Sequence, residues 1–205
     1  MTNAIAPGES PGRRVGLREK QKMRTRTAIR EAAMRLFEQQ GYTATTVEQI
    51  AKEADVSHTT FFRYFTSKEQ VVINDDLAEE REAAIAALPQ GLDHFDLLRA
   101  IIHELYRLAL ENPWASSPER MKLIHAEPAL RMAYQIESDR AISEANEFFA
   151  GYLGVAPDSL RLRVFIAAAG GVMFHIANST VDPRDDQAFA SVLEAVDLLE
   201  QGLPL

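Results

Sequence analysis

Residues 56–70, VSHTTFFRYFTSKEQ, gather the side chains of this chain best suited to read a polyanion. Four aromatics surround Arg63, hydroxyls and an imidazole precede them at Ser57, His58, Thr59 and Thr60, and Lys68 follows. In a short helix Phe61 and Phe65 stand four residues apart, on one face, so with Phe62 they are expected to anchor it on its neighbours. Ser57, His58, Thr59, Thr60, Arg63 and Tyr64 are then left as donors on the remaining surface. Side chains near the N-terminus of such a helix reach base edges in a major groove, while flanking groups hold phosphates. Thr46 and Lys68 each fall beside an expected helix start, where free N–H groups and the positive end of the helix dipole favour a phosphate.

Other chemistries leave less trace. Cysteine is absent, which removes disulfides, thiolate metal sites and cysteine nucleophiles together. His103-Glu104 does not continue to the second histidine of H-E-x-x-H, no Glu-x-x-His pair occurs, and no G-x-S-x-G or phosphate-cradling loop is present. A helical-bundle enzyme is therefore the weaker alternative, and the expectation is a non-enzyme with no cofactor and no metal. A second alternative is a protein-binding adaptor that has lost nucleic acid. Lys68, Tyr64 and the positive local charge argue against it.

The charge is divided along the chain. The net value is −8, yet residues 1–70 carry 12 Lys and Arg against 8 Asp and Glu, so the excess of acid lies wholly beyond them. Such asymmetry marks the first part as the one that meets nucleic acid. The most apolar stretch, residues 164–178, is shorter than the roughly 18–20 residues that span a bilayer. Together with the lack of cysteine and of a leader-like N-terminus, this predicts a cytoplasmic protein.

The elements that position these residues read as helices throughout. Residues 1–16, with Pro7, Gly8, Pro11, Gly12 and Gly16, are expected to form a disordered basic arm. Ala28, Ile29, Ala32, Ala33, Leu36 and Phe37 mark a helix from Leu17 to a stop at Gly41, its other face holding Arg24, Arg26, Arg30, Glu31 and Arg35. Thr45-Thr46-Val47-Glu48 has the spacing of a capping box and opens a second helix. Ser57 caps a third, so the two meet across a tight turn in helix-turn-helix geometry. Thr66-Ser67-Lys68-Glu69 repeats the capping pattern and starts a longer helix expected to run through Leu77 and Ile85 to Pro89. Helical periods then recur around residues 98–112, from Pro118, from Pro128 to about Gly151, over 158–179 and over 186–201. The expected fold is all-α, with eight to ten helices. A three-helix DNA-binding domain over residues 17–68 precedes a larger helical ligand-binding and dimerisation domain over 69–205.

The segment FEQQGYTATTVEQIAKEADVSHTTFFRYFTSKEQVV, residues 37–72, resembles the N-terminal DNA-binding domain of TetR-type transcriptional regulators in residue types and spacing. The resemblance implies a homodimeric repressor that binds double-stranded DNA at a short palindromic operator and releases it when a small molecule enters the C-terminal domain. Carried over position by position, it implies that Thr46 touches phosphate, that Ser57, His58, Thr59 and Arg63 face the groove, and that Tyr64 and Lys68 hold the DNA backbone. Thr59 stands where many members have glycine, and Phe62 where many have a tyrosine whose hydroxyl meets phosphate. The basic arm and first helix, with Arg13, Arg14, Arg18, Lys20, Lys22, Arg24 and Arg26, are either further DNA contacts or a solvated face.

In the second half, Ala167-Ala168-Ala169-Gly170-Gly171 permits close helix approach, and Phe189, Val192, Leu193, Val196 and Leu199 form a stripe on the last helix. These two helices from each subunit are expected to pair as a four-helix dimer interface, in competition with packing inside the chain. A cavity for an apolar or amphipathic effector is expected near Tyr106, Trp114, Met121, His125, Met132, Phe148, Phe165, Met173 and Phe174. Phe95, Tyr134, Phe149, His103, Arg131 and His175 are further candidates. FFRYF and the C-terminal layout look most like the mycofactocin-regulator branch of the family, which implies a fatty acyl-CoA-like ligand.

Overall fold

The computed structural model describes residues 16–180 and 182–203; the expected arm, with Arg13 and Arg14, lies almost wholly outside them. The described residues form helices, with α1 Leu17–Gln40, α2 Val47–Glu53, α3 His58–Tyr64, α4 Lys68–Ile73 and α5 Ala78–Ala86 in the first part. α6 His94–Glu111, α7 Pro118–Ala126, α8 Pro128–Leu153, α9 Leu160–Ser179 and α10 Asp186–Glu200 follow. The chain divides into two compact units between Val71 and Val72.

In the first unit α1 packs on α2 and α2 on α3. Ile29, Ala32, Ala33, Phe37, Ile50, Ala51, Phe61 and Phe65 are buried. Arg30, expected on the solvent face of α1, is buried as well, with its guanidinium 5.5 Å from the centre of the Phe65 ring and that of Arg26 at 4.8 Å. A long apolar stem and a cation held over an aromatic face let an arginine enter a core that a periodicity argument reserves for aliphatics. Phe62, expected to help anchor α3, is instead 43% exposed and meets His58 and Phe61 edge-on.

At both expected capping boxes the capping hydroxyl lies one residue later than expected. Thr46, not Thr45, caps α2: its hydroxyl accepts from the Gln49 N–H at 3.3 Å while the Gln49 side chain accepts from the Thr46 N–H at 2.9 Å. Thr45 is buried, and its hydroxyl donates to the Gly41 carbonyl at 2.8 Å. At α4 the Ser67 hydroxyl accepts from the Gln70 N–H at 3.3 Å. Adjacent threonine and serine hydroxyls carry equal capping chemistry, so only the direction of the chain entering the helix selects between them.

The single helix expected from residue 66 to Pro89 is two. Between α4 and α5, Asp76 takes a left-handed φ of 64°. The Asn74 side chain accepts from the Asp76 N–H at 2.9 Å, and that of Asp75 from the Leu77 N–H at 3.1 Å. These local bonds offer the backbone an alternative to continuing the helix. Arg120 stabilises the break, because its guanidinium donates to the carbonyls of Val72 and Ile73 at 2.6 and 2.7 Å, where a continuous helix would place its own N–H groups.

The second unit is a bundle in which α6 packs on α5 and α10, α9 lies between α8 and α10, and α7 packs on α8. Its core draws Leu97, Leu98, Ile101 and Ile102 from α6, Phe149 from α8, Leu162 and Ile166 from α9 and Val196 from α10. Arg99 ties α6 to α10 through Asp197 and Glu200. The stripe of Phe189, Val192, Leu193 and Val196 packs against this core, so packing within the chain uses it. At Gly170 the absence of a side chain lets α9 pack closely on α8: a Cβ there would lie 2.8 Å from the Ile142 side chain. Among the described residues no helix is long and apolar enough to cross a membrane.

Candidate functional site

The first candidate is the outer surface of α3. Ser57 caps this helix, its hydroxyl accepting from the Thr60 N–H at 3.0 Å. Phe61 and Phe65 then lock the inner face, which leaves Ser57, His58, Thr59 and Arg63 exposed together. Arg63 is steered by its neighbours: it donates to the Thr60 hydroxyl at 3.3 Å and lies 5.5 Å from the ring centre of half-buried Tyr64. His58 Nε2 sits 3.5 Å from Glu48 Oε1, so the start of α3 lies beside the first turn of α2, where Thr46 is exposed. The Glu48 carboxyl is held below its ordinary pKa by its own backbone N–H, by Thr46 and by His58. Glu48 adds an acid to a surface otherwise rich in donors, a role that its capping-box spacing in the sequence does not announce.

Lys68 stands apart from that row. Its ammonium donates to the carbonyls of Tyr42 and Thr45 at 2.8 and 2.9 Å and lies 4.1 Å from the Tyr42 ring centre. Next to it, Glu69 accepts from the Tyr42 hydroxyl at 2.6 Å. Burial opposes ionisation of Glu69, but the bonds from Tyr42, its own N–H and Ser67 outweigh it and lower its pKa. Lys68 and Glu69 thus hold the α1–α2 loop from below and fix the approach to Thr46. Two of the three ammonium donors are spent on carbonyls, so one remains for a further acceptor.

The second candidate is a cavity of about 740 Å³ inside the second unit, walled by α5, α6, α8 and α9. Its volume lies within the range of small-molecule sites. Of the expected ligand residues it gathers Phe148, Met173 and Phe174, together with Tyr134 and Phe149. Most of the lining is aliphatic, including Ile85, Leu98, Ile101, Leu105, Ile142 and Ile166, which no sequence signal distinguishes from ordinary core.

The other expected ligand residues lie elsewhere. Tyr106 stacks on Phe189 with ring centres 3.9 Å apart and donates to Asp186 at 3.1 Å. Trp114 donates to the Asn74 carbonyl at 2.9 Å, Met121 is buried off the cavity, and Met132 is 64% exposed. Phe165 packs on His94, Phe95 and Phe149. His125 keeps Nε2 buried without a partner among the described residues, His103 meets Phe189 edge-on, and Arg131 and His175 are exposed. Among the described residues no three His, Asp or Glu side chains gather as a metal site.

Residues 29–74 match the model of bacterial regulatory proteins of the tetR family, and residues 92–204 match that of the MftR C-terminal domain. The chain is similar to the HTH-type transcriptional regulator TcmR of Streptomyces glaucescens, at 34% identity over 161 residues, which is 74% of this chain and 71% of that protein. Among solved structures, FadR of Thermus thermophilus, a TetR-family transcriptional repressor in complex with lauroyl-CoA, aligns at TM-score 0.52 and 26% identity over 88% of this chain and 95% of that one. A TetR-family regulator of Mesorhizobium loti aligns at TM-score 0.54 over 89% and 98% of the two chains; at 18% identity it shares the fold.

Proposed function

The chain belongs to the TetR family of bacterial regulatory proteins and is a DNA-binding transcriptional regulator, and from that premise we propose a homodimeric repressor, acting in the cytoplasm, that leaves a palindromic operator when an apolar or amphipathic molecule fills the cavity of its second unit. The observation that carries the DNA half is the exposed row of Ser57, His58, Thr59 and Arg63 opposite the buried Phe61 and Phe65. In this reading Ser57, His58, Thr59 and Arg63 meet base edges and nearby phosphates, and Thr46 and Tyr64 hold the backbone. Lys68 serves first as the brace of the α1–α2 loop, with its remaining donor toward DNA.

Selection of bound duplexes from a random pool tests this directly: a two-fold symmetric sequence with half-sites about one helical turn apart is expected. On the selected duplex, Arg63→Ala is expected to weaken binding about 10- to 100-fold, the value of a good bidentate base contact. Fluorescence anisotropy reads this; unchanged affinity removes Arg63 from the interface.

Pairing is proposed through α9 and α10. Leu160, Val164, Ala167 and Gly171 recur at helical spacing on the exposed side of α9, with Leu160 at 73% and Val164 at 58% exposure, and Leu198 is exposed on α10. Small and apolar residues on one stripe let a second copy approach closely, and a two-fold axis brings each such helix against its own copy. Ala167→Glu then sets two carboxylates across that axis and is expected to convert the dimer to monomers in sedimentation; a persistent dimer places the interface elsewhere.

For the effector, the size and apolar wall of the cavity support a long hydrocarbon body, and the lauroyl-CoA complex of Thermus thermophilus FadR supports a fatty acyl-CoA-like molecule. Release requires that the effector favour a subunit arrangement that no longer spans both half-sites, since a ligand shifts an equilibrium only by its differential affinity.

A further inference from the structure

The cavity wall is apolar except at a few side chains, and all but one of the uncharged or paired groups among them are already engaged. Arg81 donates to Asp75 at 2.7 Å, Glu144 accepts from Arg140 at 2.8 Å, and the Ser138 hydroxyl donates to the Tyr134 carbonyl at 2.9 Å. Glu82 lines the cavity and is exposed. Tyr134 differs: its ring stacks on Phe174, with centres 6.4 Å apart and planes 24° from parallel, yet its hydroxyl has no hydrogen-bond partner among the described residues. Tyr134 is partly buried and is one of the residues that line the cavity. A phenol held in such a place loses its hydration and regains a bond only from whatever fills the chamber.

We propose that Tyr134 is the polar anchor of the effector cavity and that it donates a hydrogen bond to an uncharged carbonyl oxygen, of a ketone, ester or thioester, carried on the apolar body of the ligand. The proposal rests on the effector half of the function proposed above and specifies which end of the molecule is recognised. Burial raises the pKa of Tyr134, so the hydroxyl keeps its proton and is available as a donor. A phenol oxygen shares its lone pair with the ring and is the poorer acceptor, which selects an acceptor on the ligand. A free carboxylate is disfavoured because Arg81, the cation on the wall, is taken by Asp75, the Arg120 cation near the Tyr134 hydroxyl is engaged by the Val72 and Ile73 carbonyls, and the remaining wall charges, Glu82 and Glu144, are negative. An unpaired charge would have to be buried there.

Full-length protein and Tyr134→Phe are titrated with 2-decanone, decanoate and 1-decene, with binding followed by competition against a reporter dye. Tyr134→Phe keeps the ring and its stack on Phe174, so it isolates the hydroxyl. The expected result is that the variant binds 2-decanone about five- to ten-fold more weakly, the value of one neutral hydrogen bond, while 1-decene binds both proteins equally and decanoate binds the full-length protein more weakly than the ketone does. Equal binding of 2-decanone to both proteins, an equal loss of 1-decene, or a preference for decanoate overturns the proposal. Ala145→Trp, which fills the chamber, is expected to abolish binding of ketone and alkene alike; binding that survives it lies elsewhere and overturns the proposal. If none of the three probes binds the full-length protein, the effector cavity itself fails, and the anchor with it.

Discussion

Phe61→Ala is expected to destabilise the first unit by about 3–5 kcal/mol, the range for removing a buried aromatic ring, and to abolish DNA binding although Phe61 lies opposite the exposed row. The ring is 0% exposed and sits 6.1 Å from that of Phe65. α3 has seven residues, far below the ~12–15 at which a helix holds in water by itself. Its aim therefore comes from packing rather than from its own backbone bonds. Phe61→Leu keeps most of the volume and is expected to cost less than about 1.5 kcal/mol with DNA binding retained. Thermal unfolding by circular dichroism, with anisotropy on the selected duplex, checks both; full affinity and stability in Phe61→Ala would show that α3 is aimed by something other than this ring.

Arg120→Ala is expected to cost the second unit about 3 kcal/mol, because it strands two buried carbonyls that each accept a charged donor. Arg120 is 5% exposed, and desolvation lowers its pKa, so the bonds to Val72 and Ile73 are what offset its burial. Arg120→Lys keeps the charge but lacks the planar fork that spans two adjacent carbonyls, and it is expected to recover less than half of the loss. Trp114, the chain's single tryptophan, lies 5.7 Å from the guanidinium and donates to the Asn74 carbonyl. Its fluorescence thus reports on the α4–α5 break. Urea titrations followed at this residue and by circular dichroism measure the change; a midpoint shift equivalent to less than about 1 kcal/mol would mean that water replaces the arginine without penalty.

How far the sequence was legible depends on what distinguishes one environment from another. Phe61 and Phe65 were readable as anchors because helical spacing puts them on one face, and no polar atom limits their burial. Phe62, one residue on, shares their chemistry but turns out to the surface. Arg30 and Arg120 were hidden for the opposite reason: residue type alone assigns arginine to solvent, and only a carbonyl pair or an aromatic face already in place makes burial affordable. The cavity escaped in a similar way. Met173 and Phe174 were found as large adaptable side chains, but Ile101, Leu105 and Ile166 look the same in sequence whether they meet another side chain or an empty chamber.

The order of helices, the helix-turn-helix with its hydroxyl caps, and the division of charge between the two parts were determined by the sequence, because local propensity, period and formal charge act over a few residues at a time. Three things waited for tertiary structure. The break between α4 and α5 depends on Arg120, 47 and 48 residues away along the chain from the carbonyls it holds. Lys68 became a brace because the α1–α2 loop presents two carbonyls to it. Tyr134 is a wall residue because four helices leave a cavity beside it. In each case the surrounding groups are distant in sequence, and a polar side chain takes its role from them only after packing, which no local pattern encodes.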